Sequence, residues 1–146
     1  MTRARLLIAP APSAGGGQRE GYTDVPQDHW AAEAIDRYTG LGVLQGNPDG
    51  SFEPDAYMTC AQLASFISRA FKLADAELTV LDDYPDADKS EWYAQTLANC
   101  ISAGIIGCDA DTTVAPDACV TREQAVVMLC RVYEIEPLNN VTPNYI

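Results

Sequence analysis

Two stretches of the chain repeat the same order of apolar and polar positions, and in both the apolar spacing is helical. In the first, Trp30, Ala31, Ala34, Ile35 and Tyr38 share one face of a 3.6-residue turn, and Gly40 and Gly42 end the run. A second stripe, Leu63, Phe66, Ile67 and Ala70, follows Thr59, with Gln62 at the third helical position, the arrangement in which side chain and backbone cap each other. Between them lies Gly46 to Pro54, rich in turn formers: Pro presets φ, Gly permits positive φ, and Asn and Asp bond to nearby backbone. The pattern predicts a helix, an ordered loop pinned by Phe52, and a second helix.

The whole order then returns. Residues 22–73 align on 84–135 without a gap at a constant offset of 62, with identities at Tyr22/Tyr84, Asp24/Asp86, Trp30/Trp92, Gly42/Gly104, Asp49/Asp111, Pro54/Pro116, Thr59/Thr121, Gln62/Gln124 and Arg69/Arg131. In the second unit Gly104 closes the first helix, and Thr121 caps a helix striped by Ala125, Met128, Leu129 and Val132. Its loop, Cys108 to Pro116, lacks the central Gly and Pro and has Val114 in place of Phe52. Two helices and a loop bury little alone, so the units are expected to stack around a joint core that leaves clefts between them. The expected organisation is a flexible segment 1–21, a unit 22–73, a linker 74–83, a unit 84–135 and a tail 136–146.

Charge narrows the partners. A formal net charge of -12 sets up a field that repels phosphate backbones and argues against nucleic acid. The same field repels an acidic polysaccharide at long range, so a ligand of that kind needs a local basic contact. No apolar run approaches the ~20 residues that span a bilayer, so no membrane insertion is expected. The five cysteines, in no metal-binding spacing, read as free thiols, with a Cys108–Cys119 disulfide as the alternative. Asn47 with Asp49 and Asp109 with Asp111 suggest a calcium loop, but Phe52 and Val114 stand where an EF-hand requires Gly, and the closing Glu is missing. Neither metal nor cofactor is expected. The single His29 has no nucleophile motif or phosphate loop to serve, and the carboxylates sit in turns and helix starts, where capping and solvation account for them. No enzyme is expected.

The string Tyr22-Thr23-Asp24-Val25, Trp30-Ala31, Gly42-Val43-Leu44-Gln45-Gly46, Asp49-Gly50-Ser51-Phe52-Glu53-Pro54 and Thr59 through Arg69, matched in the second unit by Tyr84, Asp86, Trp92, Gly104, Pro116 and Thr121-Arg122-Glu123-Gln124, resembles the S-layer homology (SLH) domain family. The resemblance implies an all-α fold: tandem helix-loop-helix repeats, usually three, packed as a helical bundle, a pseudo-symmetric spindle with loop-lined clefts and here an incomplete one. It also implies a non-catalytic module at the bacterial cell surface that binds secondary cell-wall polysaccharide, often pyruvylated, without covalent chemistry. Pro137 to Ile146 would be the linker to a third repeat. The alternative is a structural or assembly protein using the repeats for self-association, as a homo-oligomer, or for other protein-protein contacts.

Carried over residue by residue, the resemblance places glycan contacts at Trp30, Trp92, Asp49, Gly50, Asp111 and Arg122. Cys60 stands where the first unit should have the motif's Arg, which removes the cation from the first cleft. The helical spacing of Trp30 and Trp92 favours core packing over a sugar platform, and Arg122 divides evenly between ligand contact and solvated surface. Thr2-Arg3-Ala4 echoes the same motif, but Pro10 and Pro12 would break the helix that should follow, so the echo reads as coincidence.

Overall fold

The computed structural model describes Arg3 and residues 21–106 and 113–134. Its elements are α1 (Ala32–Gly40), α2 (Cys60–Ala70), a 3-10 helix (Leu78–Asp83), α3 (Ala94–Ser102) and α4 (Arg122–Val132). Among the described residues there is no strand, only an isolated antiparallel bridge between Thr59 and Cys119. The fold is all-α.

The second helix of each unit starts at a capping box, and the first ends at a glycine. At α2 the Thr59 hydroxyl accepts from the Gln62 N–H at 3.3 Å while the Gln62 carbonyl accepts from the Thr59 N–H at 3.0 Å. Thr121 and Gln124 repeat this at α4, at 3.2 and 2.9 Å. The first helix of each unit runs into a glycine at positive φ, Gly42 at 72° and Gly104 at 70°, a conformation that costs glycine little.

The loops are held by a duplicated carboxylate. Asp24 accepts the N–H groups of Phe52 and Glu53 at 2.8 and 2.6 Å. Asp86 does the same for Val114 and Ala115, at 3.1 and 2.6 Å. Glu53 (φ 57°) and Ala115 (φ 44°) both adopt left-handed backbone that a side chain disfavours, and the charge-assisted bonds offset that strain. In the first unit Phe52 is buried against Val25, Ile35 and Leu44, as the sequence predicts.

The cores cross the repeat boundary. The larger one joins Leu63, Ala64 and Ile67 of α2 to Leu97, Cys100 and Met128 of the second unit, and the smaller holds α1 and Phe52. Between α2 and α3 the contact is partly polar. The Asn99 amide donates to Ser68 Oγ at 3.1 Å and Asp75 at 3.3 Å, and its carbonyl accepts from the Ala76 N–H at 2.9 Å and Gln95 at 3.0 Å. Within the 74–83 linker, Leu81 is a core anchor at 2% exposure, so this segment is a packed joint.

The tryptophans depart from expectation. Trp30 is 57% and Trp92 61% exposed, so the preference for core packing is overturned. Both precede the helices, which start at Ala32 and Ala94. The first-helix face is instead filled from Ala31 and Tyr93, which are buried.

Candidate ligand-binding groove

Two grooves repeat the symmetry of the units, and they differ in chemistry. The first, about 510 Å³, lies between the first-unit loop and α2, with Trp92 of the second unit as its far wall. The second, about 430 Å³, is its counterpart: Ile105, Val114 and Met128 hold the places that Val43, Phe52 and Phe66 hold in the first. Among the described residues no tryptophan lines the second groove.

The loop bordering the first groove is braced internally. Asp49 accepts from the Ser51 N–H at 3.0 Å and its hydroxyl at 2.7 Å. Those bonds, the hydroxyl's foremost, hold the Asp49 carboxyl below the usual carboxylate range. Gly50 turns the chain at φ 85°, and its N–H reaches the Asn47 carbonyl at 3.0 Å. Gly46 admits no larger residue, because a Cβ there would run into the Tyr22 ring and come within 2.6 Å of the Ser51 carbonyl. This bracing presents Asn47 and Pro48 to the groove, while Asp49 and Gly50 shape the turn behind them.

Cations enter the first groove from two places. Arg3 donates its backbone N–H to the Ala56 carbonyl at 3.2 Å, as Cys60 donates to Ala118 at 2.9 Å in the second unit. Ala56 and Ala118 are repeat equivalents, so Arg3 occupies at the first loop the position Cys60 occupies at the second. The echo is therefore structural at Arg3, and Cys60 belongs to the second groove, whose wall it lines. The Arg3 guanidinium donates to the Phe52 carbonyl, sits 5.7 Å from the Phe52 ring centroid and lies 3.8 Å from the exposed Glu53 carboxylate. Its side chain is only 11% exposed.

Arg69, from α2, is the second cation. Its equivalent Arg131 donates to the Ile105 carbonyl at 3.1 Å, whereas Arg69 lines the first groove and forms no ion pair with the described residues. Among the described residues no Asp or Glu lines this groove. Glu123 and Arg131, near opposite ends of α4, both line the second groove, as does the half-buried Cys60 thiol, whose pKa burial raises and the Asp86 charge raises further.

Of the residues singled out from sequence, Trp92 lines the first groove, with Asp49 and Gly50 in its loop. Trp30 and Arg122 are exposed and line neither groove, and Asp111 lies outside the described residues, as does Cys108. Sequence reasoning missed Arg3 and Arg69, although the Thr-Arg-Ala echo and the Arg69/Arg131 identity marked both. Among the described residues no cluster of three or more metal-ligating side chains occurs, and no helix is long and apolar enough to cross a membrane.

Residues 21–64 and 83–126 match the model of the S-layer homology domain. A cellulosome-anchoring protein of Acetivibrio thermocellus is 31% identical over 142 residues, 93% of this chain and 31% of the relative. The S-layer protein sap of Bacillus anthracis is 27% identical over 146 residues, 98% of this chain and 17% of the relative. An amylopullulanase of Thermoanaerobacterium thermosulfurigenes is 28% identical over 109 residues, 75% of this chain and 6% of the relative. The chain thus spans less than a third of the length of each of these relatives.

Proposed function

Because the chain belongs to the S-layer homology family, we propose that it is a non-catalytic module that holds a larger protein at the bacterial cell surface by binding a secondary cell-wall polysaccharide. The observation that carries this reading is the first groove: two arginines, an indole and, among the described residues, no acid, in a chain of net charge -12. Repulsion by the whole molecule must be overcome locally, and an arginine fork suits a carboxylate-bearing sugar such as a pyruvate ketal. Trp92 offers a flat apolar face for a sugar ring beside it. The presence of relatives named for anchoring, for S-layers and for an enzyme fits a module attached to different passengers.

The test is sedimentation with purified peptidoglycan carrying its secondary polymer. Co-sedimentation that disappears once the polymer is stripped supports anchoring, while equal recovery with intact and stripped walls refutes it.

A second reading, assembly through the repeats, rests on α4. Val126 and Val127 are 53% and 46% exposed, whereas their first-unit equivalents Ala64 and Ser65 are buried against α3. A further repeat or a second copy would cover them. A mass by light scattering that rises with concentration supports self-association, and a monomer at all concentrations excludes it.

A further inference from the structure

We infer that the polar seam between α2 and α3 is a pairing key, which admits α2 to α3 and bars α4 of a second copy of the chain from taking the place of α2. The inference is independent of what the grooves bind.

Duplication creates the need for such a key. α2 and α4 have the same length of 11 residues and start from the same capping box. They carry apolar side chains at the same positions, Leu63, Phe66 and Ile67 against Ala125, Met128 and Leu129. The apolar pattern by itself therefore lets α4 of one copy seat on α3 of another, and exchange of equivalent elements is a ready route to swapped dimers.

The polar positions remove the ambiguity. Among the described residues the buried polar side chains are Ser65, Ser68 and Asn99, and all three lie on this seam. Thr96 donates to the Tyr93 carbonyl at 3.0 Å, so the Ser65 hydroxyl is the donor in its 2.7 Å bond to Thr96. The Asn99 amide donates to Ser68 Oγ at 3.1 Å. The duplication repeats neither half of this pattern. Val127 and Cys130 of α4 stand at the Ser65 and Ser68 positions, and Ala34 and Arg37 of α1 at those of Thr96 and Asn99. With α4 seated on α3, valine would leave the Thr96 oxygen without its donor. A thiol, a weak acceptor, would replace the Ser68 hydroxyl at the Asn99 amide. Apolar contact would be kept while buried polar groups lost their partners, which is how one pairing is favoured over another of similar shape.

Refolding tests the key. The whole chain is unfolded in urea, refolded at low and at high concentration, and diluted to one common concentration for light scattering, where swapped dimers persist because they part only by unfolding. Val127→Ser with Cys130→Ser installs the α2 half of the key on α4. Val127 is exposed and Cys130 half-buried, so the native fold is kept. After refolding at high concentration its dimer fraction should exceed that of the unaltered chain about fivefold or more. Asn99→Leu, which removes the other half, should raise the dimer fraction as well. Leu97→Ala loosens the same core without touching the seam and should refold like the unaltered chain. Equal dimer fractions in the α4 variant and the unaltered chain, or as much dimer from Leu97→Ala as from Asn99→Leu, would overturn the inference. Should Asn99→Leu fail to refold, the α4 variant decides alone.

Discussion

At the residue scale the loop carboxylates have the most measurable consequences. Asp24 is drawn two ways. Partial desolvation, the largest single influence, raises its pKa, but the N–H bonds from Phe52 and Glu53 and the backbone bond at Asp24 itself together lower it below the usual value of 3.8. A depressed folded-state pKa means the contribution to stability is complete above the unfolded value and is lost as pH falls through the folded one. Asp24→Asn should therefore destabilise the chain by about 1–2 kcal/mol near neutral pH. That difference from wild type should shrink in urea titrations as the pH drops below about 4. A difference that persists unchanged at pH 2 to 3 would show that the charge is not what holds the loop. Such strong local bonding at an exposed aspartate is intelligible, because Glu53 cannot hold φ 57° without compensation.

At the element scale the contact that matters is α2 with α3, because it joins the units and aligns Trp92 with the first groove. Asn99 is 4% exposed, and all its amide hydrogen-bonding capacity is used, by Ser68, Asp75 and Ala76 across this joint and by Gln95 within α3. Asn99→Leu removes the amide but strands its partners, the Ala76 N–H among them, and should cost about 2–3 kcal/mol. The fall should appear in the thermal melt together with weaker wall binding, since misalignment of α3 carries Trp92 away from the groove. Full stability in this variant would mean that packing alone, through Leu63, Ile67 and Leu97, sets the joint. The 3-10 helix supports the same joint from outside, with Leu81 in the core and Lys89 paired to Asp82.

At the scale of the whole molecule, structural units and sequence repeats are out of register. The larger core takes α2 from the first repeat and nearly everything from the second, leaving α1 and Phe52 as a satellite. Cutting at the sequence boundary therefore exposes Leu63, Ala64 and Ile67 at once. Residues 1–83 in isolation should show no cooperative thermal transition by circular dichroism, while the whole chain should show one. A cooperative melt of the fragment would mean that each repeat folds by itself. The acidic surface belongs to this scale too. With 21 acidic against 9 basic residues, the proposed ligand selection falls to the first groove, which no described acid lines.

The sequence by itself determined the helices, their capping boxes, the glycine stops, the duplicated loops and the family, because each depends on residues near one another in the chain or on the repeat period. The loop pin Phe52 was legible for the same reason. Only the tertiary structure decided which side chains share a groove. Trp92 serves the loop of the preceding unit, Arg3 stands where Cys60 stands one unit later, and Arg69 differs from Arg131 solely in what surrounds it. Trp30 and Trp92 carry the same helical signal as a core residue, yet lie just ahead of the first turn, where a shift of one or two positions turns a side chain outward. Spacing fixes the face of a helix, but the neighbour that covers the face comes from the packing of distant segments, and the groove is made of such neighbours.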